Sequence, residues 1–350
     1  MNILLTHRIA DYINTLSQVA TEVHVADNGT RNSFVEVPKN VYLFQLPHGD
    51  KVERIRMISR YLTDHQIDVI YAQGIGELFL YGCARRLSGC TCRVIVTSHS
   101  SYTWRISWKP LLILCTSRLL ADAFVFLAHC HFIKWQSWCK FIGMAAFHIG
   151  NPVNVDRFTP RRNITPNKPW RLGYVGMVNK QKGQAVLIEA AKQLIEQGVP
   201  IELDLAGDVD DAAYREELDA MIVRYSLEPV VHFHGRIPYD QVPAFLATLD
   251  LYVCPSLMEM MPFNVLEAMA VGLPVVASAV GGIPDAVRHA SEGFLVPPEQ
   301  PAALVDAILM AMDPTHYAAL AHSSRRRVEN EFSYNVIAGK ISQMLRELNP

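Results

Sequence analysis

Short apolar runs alternate with stretches whose apolar positions recur every three to four residues, and this alternation continues along nearly the whole chain. In the first half, runs at Ile3–Thr6, Val23–Ala26, Val41–Leu46, Val69–Ala72, Val94–Thr97 and Ala123–Leu127 read as short buried strands. Between the third and fourth runs, Ile55, Ile58, Leu62 and Ile67 are spaced as on one face of a helix. The alternation restarts with strands predicted at Arg171–Val175, Ile201–Ala206, Val230–His234, Leu251–Cys254 and Val275–Ala277. Helices are predicted over Gln184–Gln197, Ala212–Tyr225, Tyr239–Ala247, Pro262–Val271 and, last, Tyr334–Leu348. Buried strands separated by helices predict an α/β fold with parallel sheets.

Residues 151–170 break the pattern with four prolines and five charged side chains, the composition of an exposed connection. The expected organisation is two Rossmann-like domains, 1–150 and 171–333, joined by 151–170 and followed by a C-terminal helix, 334–350, that returns to the first domain. A length of 350 residues suits two domains of about 150 residues each. Ligands of open α/β sheets bind beyond the carboxyl ends of the strands, so two such domains facing each other would enclose a cleft.

Composition narrows the class. Half of the residues are hydrophobic and 19% are charged, which excludes a disordered chain. The most apolar stretch, Leu111–Ala128, is broken by Arg118 and Asp122, so no spanning helix is expected. The N-terminus lacks a basic segment ahead of a long apolar one, which argues against a secretory leader. Seven cysteines, an odd number without a C-x-x-C pair, suggest a reducing, cytoplasmic setting and no structural zinc. Residues 1–150 carry 15 Lys and Arg against 10 Asp and Glu, whereas 151–350 carry 17 against 24. That modest basic surplus can face an anionic surface; nothing in it indicates nucleic acid.

Two segments carry candidate chemistry. In Pro255–Pro274, an apolar strand leads through Glu259 to a helix opened by Pro262, with Glu267 just over one turn inside and Gly272 and Pro274 closing it. The N–H groups of roughly Asn264–Leu266 then lie at a helix N-terminus, where phosphate oxygens bind well. Carboxylates on either side of such a pocket can accept hydrogen bonds from sugar and ribose hydroxyls. A solvated helix start favoured by the dipole is the plainer alternative. The second segment runs from Leu172 through Gly176, Lys180, Lys182 and Gly183 into a helix. It is a second anion cradle, with lysine as counter-charge to a diphosphate, or else an ordinary strand-to-helix turn.

Taken in order, NPVNVDRF (151–158), YVGMVNKQKG (174–183), LDLAGD (203–208), VHFHGRIPYDQVPAFLATLDLYVCPS (231–256), the E-x7-E pair Glu259 and Glu267, EAMAVGLPVVASAVGGIPDAV (267–287) and GFLVPP (293–298) resemble glycosyltransferase family 4. The likeness covers about half the chain. It implies the GT-B fold, a nucleotide-sugar co-substrate with no separate cofactor or metal, and hexosyl transfer with retention of configuration. UDP- or GDP-sugar donors and glycan or lipid-linked acceptors are the implied partners, in polysaccharide, lipopolysaccharide or glycolipid assembly. Matched position by position, Glu267 would hold the donor ribose, Glu259 the donor sugar and Lys182 the diphosphate. The amides of residues 263–266 would also bind the diphosphate, and His99 would lie near sugar and acceptor. Two departures stand out. Met177 occupies the place of a usual arginine, with Lys180 as a substitute, and the glycine-rich loop after the first strand is missing, leaving Thr6–Arg8 in its place. A non-catalytic GT-B partner protein, a sugar-nucleotide epimerase and a glycoside phosphorylase remain alternatives.

Two further features need placing. Asp208-Val-Asp210 imitates the D-x-D metal motif of another glycosyltransferase fold but follows a strand in a turn, so it reads as solvated surface. Four of the five tryptophans, Trp104, Trp108, Trp135 and Trp138, lie near Arg105, Lys109, Lys134 and Lys140. Aromatic, apolar and basic side chains together suit the interface of an anionic bilayer, on the inner face of a membrane; a helical core is the alternative.

Overall fold

A computed structural model of the chain describes residues 1–348 apart from 7–9, 28–37, 47–49, 100–108, 162–164 and 167, and describes the backbone alone at 27 and 109–110. The chain forms two compact units, Met1–Pro152 with Tyr334–Pro350, and Val153–Ser333.

The first unit is built on β1 (Asn2–Leu5), β2 (Glu22–Asp27), β3 (Val41–Gln45), β4 (Val69–Ala72), β5 (Arg93–Thr97), β6 (Ala123–Phe126) and β7 (Ala145–His148). They pair in the order β3-β2-β1-β4-β5-β6-β7, every pair parallel. The connections carry α1 (Ala10–Ser17), α2 (Lys51–Asp64), α3 (Ile75–Ser88), α4 (Lys109–Arg118) and α5 (His129–Phe141). β4 and β6 are buried at every residue, which is why they are unbroken apolar runs. The C-terminal α13 (Tyr334–Leu348) packs on α1 in this unit, and Tyr334 Oη donates to Asp11 Oδ1 at 2.6 Å.

The second unit contains β8 (Trp170–Val175), α6 (Gln184–Glu196), β9 (Ile201–Ala206), α7 (Ala212–Arg224), β10 (Val231–Gly235) and α8 (Val242–Ala247). It continues with β11 (Leu251–Cys254), α9 (Phe263–Ala270), β12 (Val275–Ser278), α10 (Ile283–Ala286), β13 (Gly293–Val296), α11 (Pro301–Ala311) and α12 (Pro314–Glu331). Its parallel sheet is ordered β10-β9-β8-β11-β12-β13.

Three expectations change. The 151–170 stretch is not an exposed connection: Asn151, Pro152, Val153 and Phe158 are buried. Prolines remove backbone donors but leave carbonyls, and Arg325 binds those of Val155 and Phe158 at 3.0 and 2.6 Å together with Ala270 O at 2.6 Å. Within the same stretch Arg161 donates to Leu249 O and Tyr317 Oη at 2.6 and 2.7 Å. The helix predicted from Tyr239 begins only at Val242, because Pro243 is tolerated in a first turn and not deeper. Pro262 is the extended cap of α9 rather than its first residue. β7 and β13 lacked a strand signal: each is a four-residue strand at a sheet edge, and neither is rich in β-branched residues.

Candidate active site

Strand order locates the crevice. In the second unit β8 and β11 are neighbours, while the chain leaves β8 toward β9 on one side and β11 toward β12 on the other. Their carboxyl ends form the topological switch point, where ligands of doubly wound sheets bind. Both candidate segments emerge there.

The two loops lie against each other. Gly183 has φ +69°, and a Cβ on it would stand 2.2 Å from the Pro255 carbonyl oxygen, so only glycine fits. Leu257 N donates to Gln181 O at 2.7 Å. The contact brings Lys182, at the end of a single 3-10 turn, to Glu259, with Nζ 2.6 Å from Oε1. Buried Ser256 donates its hydroxyl to the same oxygen at 2.9 Å. Glu259 is 8% exposed, and a carboxylate so withdrawn from water needs a cation and hydrogen bonds beside it. The floor below is uncharged. Burial, then the neighbouring Glu259, pushes the Cys254 thiol up to about 12, and burial raises the Tyr174 and Tyr252 phenols well above their ordinary value.

From this floor rises α9. Asn264 Nδ2 donates to Val175 O at 2.5 Å, fastening the helix start to the end of β8. Of the four predicted anion-binding amides, Val265 N is taken by Asn264 Oδ1 at 2.9 Å and Leu266 N lies 3.5 Å from Pro262 O, so the helix start satisfies these two itself. Glu267, one turn further, is 7% exposed. Lys180 turns elsewhere: it is 68% exposed and pairs with Glu217 on α7 at 3.5 Å, so it does not join Lys182. Gly176 N donates to Ala206 O at 2.8 Å, and Met177 is partly exposed, its carbonyl accepting from Gln184 Nε2 at 2.8 Å.

The first unit has its own switch point, between β1 and β4. Thr6 follows β1, Gln73 follows β4 and His99 lies just after β5. His99 Nε2 is 2.6 Å from Gln73 Oε1, and the His99 ring stands edge-on to Tyr12 with centroids 5.9 Å apart. Thr6 accepts from Gln73 N at 3.1 Å and donates to Glu77 in the first turn of α3. Of the Thr6–Arg8 stretch, only Thr6 is described.

Asp208 and Asp210 sit in the turn after β9, where Arg236 is 3.6 Å from Asp208 and Asn179 is 3.3 Å from Asp210. Among the described residues no group of three or more His, Cys, Asp or Glu side chains is arranged to hold a metal, and no helix is long and apolar enough to cross a membrane. Trp104, Arg105 and Trp108, and the side chain of Lys109, lie outside what is described. Trp135 is a core residue rather than a surface anchor, and Trp138 is half-buried beside Phe141. Among the residues that α5 exposes are Ile133, Lys134, Lys140 and Phe141, the last by 78%.

Several site residues carried no sequence signal as functional groups. Ser256 and Gln73 are ordinary polar residues after strands. Gly281 and Gly282 both approach the Glu259–Met260 backbone so closely that a Cβ would overlap it.

Two parallel-sheet Rossmann-like units with this switch-point site define the GT-B class of α/β fold. Residues 156–327, most of the second unit, match the family model for glycosyl transferases group 1, so the chain carries a domain of that kind. Over 204 residues it is 34% identical to WcaL of Escherichia coli (strain K12), a protein provisionally named a colanic acid biosynthesis glycosyltransferase. That match covers 56% of this chain and 50% of WcaL, so it spans about half the length of that curated relative. Over 91% of the chain and 86% of the relative it is 24% identical to the GDP-mannose-dependent alpha-(1-6)-phosphatidylinositol monomannoside mannosyltransferase of Mycobacterium tuberculosis (strain CDC 1551 / Oshkosh). The crystal structure of Anabaena Alr3699/HepE with UDP and glucose superposes with a TM-score of 0.79 at 21% identity, covering 99% of both chains. GT-B is thus the fold.

Proposed function

We propose that the protein is a retaining, metal-independent hexosyltransferase that moves sugar from a UDP- or GDP-sugar to a hydroxyl of a glycan or lipid-linked acceptor, in cell-surface polysaccharide, lipopolysaccharide or glycolipid assembly. The observation that carries this reading is the Lys182–Glu259 pair at the β8/β11 switch point, beside the start of α9 and inside the region matched to glycosyl transferases group 1. Lys182 would take up charge on a departing diphosphate, which is where electrostatic stabilisation lowers the barrier. Entry of the phosphates would draw Lys182 from Glu259, freeing that carboxylate to accept hydrogen bonds from sugar hydroxyls. Glu267, withdrawn from water on α9, would hold the ribose hydroxyls. The relatives supply the donor classes: GDP-mannose is in the name of one, and UDP is bound in the structure of another.

The acceptor side is assigned to the first unit, with His99 near the reacting sugar. The exposed Ile133, Lys134, Lys140 and Phe141 of α5 suit peripheral contact with an anionic membrane that presents a lipid-linked acceptor.

Thermal shift with UDP, GDP, ADP and their sugar conjugates, in EDTA, tests the donor site. A ligand at 100 times its dissociation constant adds about 2.7 kcal/mol. We expect one nucleotide to stabilise the protein and Glu267→Ala to abolish the shift. No shift with any nucleotide would favour a non-catalytic relative, with Met177 in place of the usual phosphate-binding arginine as the first suspect.

A further inference from the structure

At the switch point of the first unit one amide stands out. Gln73 is 6% exposed and sits directly after β4, where two bonds fix its environment: its backbone N–H goes to Thr6 Oγ1 at 3.1 Å, and its side-chain Oε1 lies 2.6 Å from His99 Nε2. Its side-chain Nε2 is buried and has no acceptor among the described residues. A buried donor without a partner is costly, and native proteins keep one mainly where something else repays it.

We propose that Gln73 is a positioning residue that sets the protonation pattern of His99. This inference rests on the assignment of His99 to the reacting sugar made above. A glutamine Oε1 is only an acceptor, so at 2.6 Å the imidazole must carry its proton on Nε2. In the neutral ring Nδ1 is then the accepting nitrogen and cannot donate a hydrogen bond. The opposite tautomer would turn that acceptor into a donor and reverse the preference of the site.

The surroundings hold Gln73 in place. Thr6 is fully buried and links the Gln73 backbone to the Glu77 carboxylate, so the ends of β1 and β4 and the first turn of α3 form one network. Tyr12 closes one side, its ring against His99 and its hydroxyl bonded to Asn151 at 3.0 Å. Burial holds the Tyr12 phenol well above its ordinary value, so it stays neutral. Next to Gln73, a Cβ on Gly74 or Gly76 would meet nothing within 4 Å among the described residues. A hydroxyl oxygen of a substrate is the chemistry that would satisfy the unpaired Gln73 amide.

The test reads the tautomer directly and does not depend on activity. The protein is labelled with 15N-histidine, and the His99 signals are assigned by their loss in His99→Gln. We expect the Nε2–H tautomer in the wild type. Gln73→Met, of similar size but unable to accept, should give a mixture of tautomers. Gln73→Glu keeps the acceptor and should restore Nε2–H, while favouring the charged ring and so moving the ring's titration to higher pH. An Nδ1–H ring in the wild type, or His99 signals unchanged in Gln73→Met, overturns the proposal; if Gln73→Met does not fold, unchanged signals and titration in Gln73→Glu do so.

Hydrolysis of UDP-glucose and GDP-mannose, followed by nucleoside diphosphate release, separates this inference from the reading beneath it. We expect a fall of about tenfold to a hundredfold in Gln73→Met, the scale of a lost acid–base or positioning contact, with UDP or GDP binding unchanged. Loss of turnover in His99→Gln with full turnover in Gln73→Met rejects the role of Gln73 alone. Full turnover in both variants rejects His99 as well.

Discussion

Gly281 passes so close to Glu259 that a Cβ on the glycine would stand 1.7 Å from the Glu259 carbonyl oxygen. The loop after β12 thereby buttresses the loop after β11 from behind, and Gly282 N donates to Met260 O at 2.5 Å in the same contact. Gly281 also has φ +55°, which L side chains adopt reluctantly. Gly281→Ala should cost more than about 1 kcal/mol of stability and displace Glu259. Thermal midpoints with and without UDP or GDP measure both effects. Unchanged midpoints and unchanged nucleotide shifts would mean that the two loops move independently.

The Lys182–Glu259 pair makes a stability prediction distinct from its role toward substrate. Lys182→Met leaves a nearly buried carboxylate without its cation, at a cost on the order of 3 kcal/mol. Adding Glu259→Gln removes the stranded charge and should recover most of that loss while leaving turnover absent. Urea unfolding of the two variants makes the comparison. A single variant as stable as the wild type would show that Ser256 alone satisfies the carboxylate.

In the first unit, burial lowers the pKa of His24, a residue of β2 bonded to Tyr61 Oη at 2.7 Å with His65 beside it. The unfolded chain then binds a proton more readily than the folded one. The resulting stability is fully present above about pH 6.5, the unperturbed histidine value, and falls as pH drops through it toward the lowered folded value. His24→Gln should show a smaller fall in thermal midpoint between pH 8 and pH 5 than the wild type. Parallel curves for the two proteins would count against this origin of acid sensitivity.

Phe141→Asp with Lys140→Glu removes an exposed ring and reverses one charge at the end of α5 without touching buried Trp135. If this face meets a membrane, wild-type protein should float with anionic liposomes and the double variant should stay at the bottom of the gradient. Retention of both proteins at the bottom would reject the surface.

Arg288 pairs with Glu292, which is fully buried. Burial alone would raise the Glu292 carboxyl, but hydrogen bonds from the Arg288 side chain and backbone and from Ser291 outweigh it and hold the group below its ordinary value. Its contribution to stability is present above the unfolded carboxyl value and is lost as pH falls through the lowered folded one. Arg288→Ala should therefore destabilise the protein by about 2–3 kcal/mol at neutral pH, and by less in acid, where Glu292 is protonated. Equal losses at pH 7 and pH 3 would contradict the pairing.

Periodicity determined the α/β class and most strands to within a residue or two, and the glycine, proline and lysine positions marked the two segments that supply Lys182, Glu259 and Glu267. These are local properties: a strand buried on both faces must be an apolar run, and a helix start is marked by its cap and proline. Tertiary structure decided which side chains meet. Lys182 and Lys180 are two residues apart, yet one pairs with Glu259 and the other with Glu217, because a 3-10 turn points them differently. The proline-rich stretch looked solvated until Arg325, more than 150 residues away, bound its carbonyls. Strand order, which places β8 beside β11 and β1 beside β4, is a long-range choice and puts both candidate sites at switch points. Spacing along a chain records what a backbone does locally, whereas partners contributed by distant segments are fixed only once the sheets have assembled.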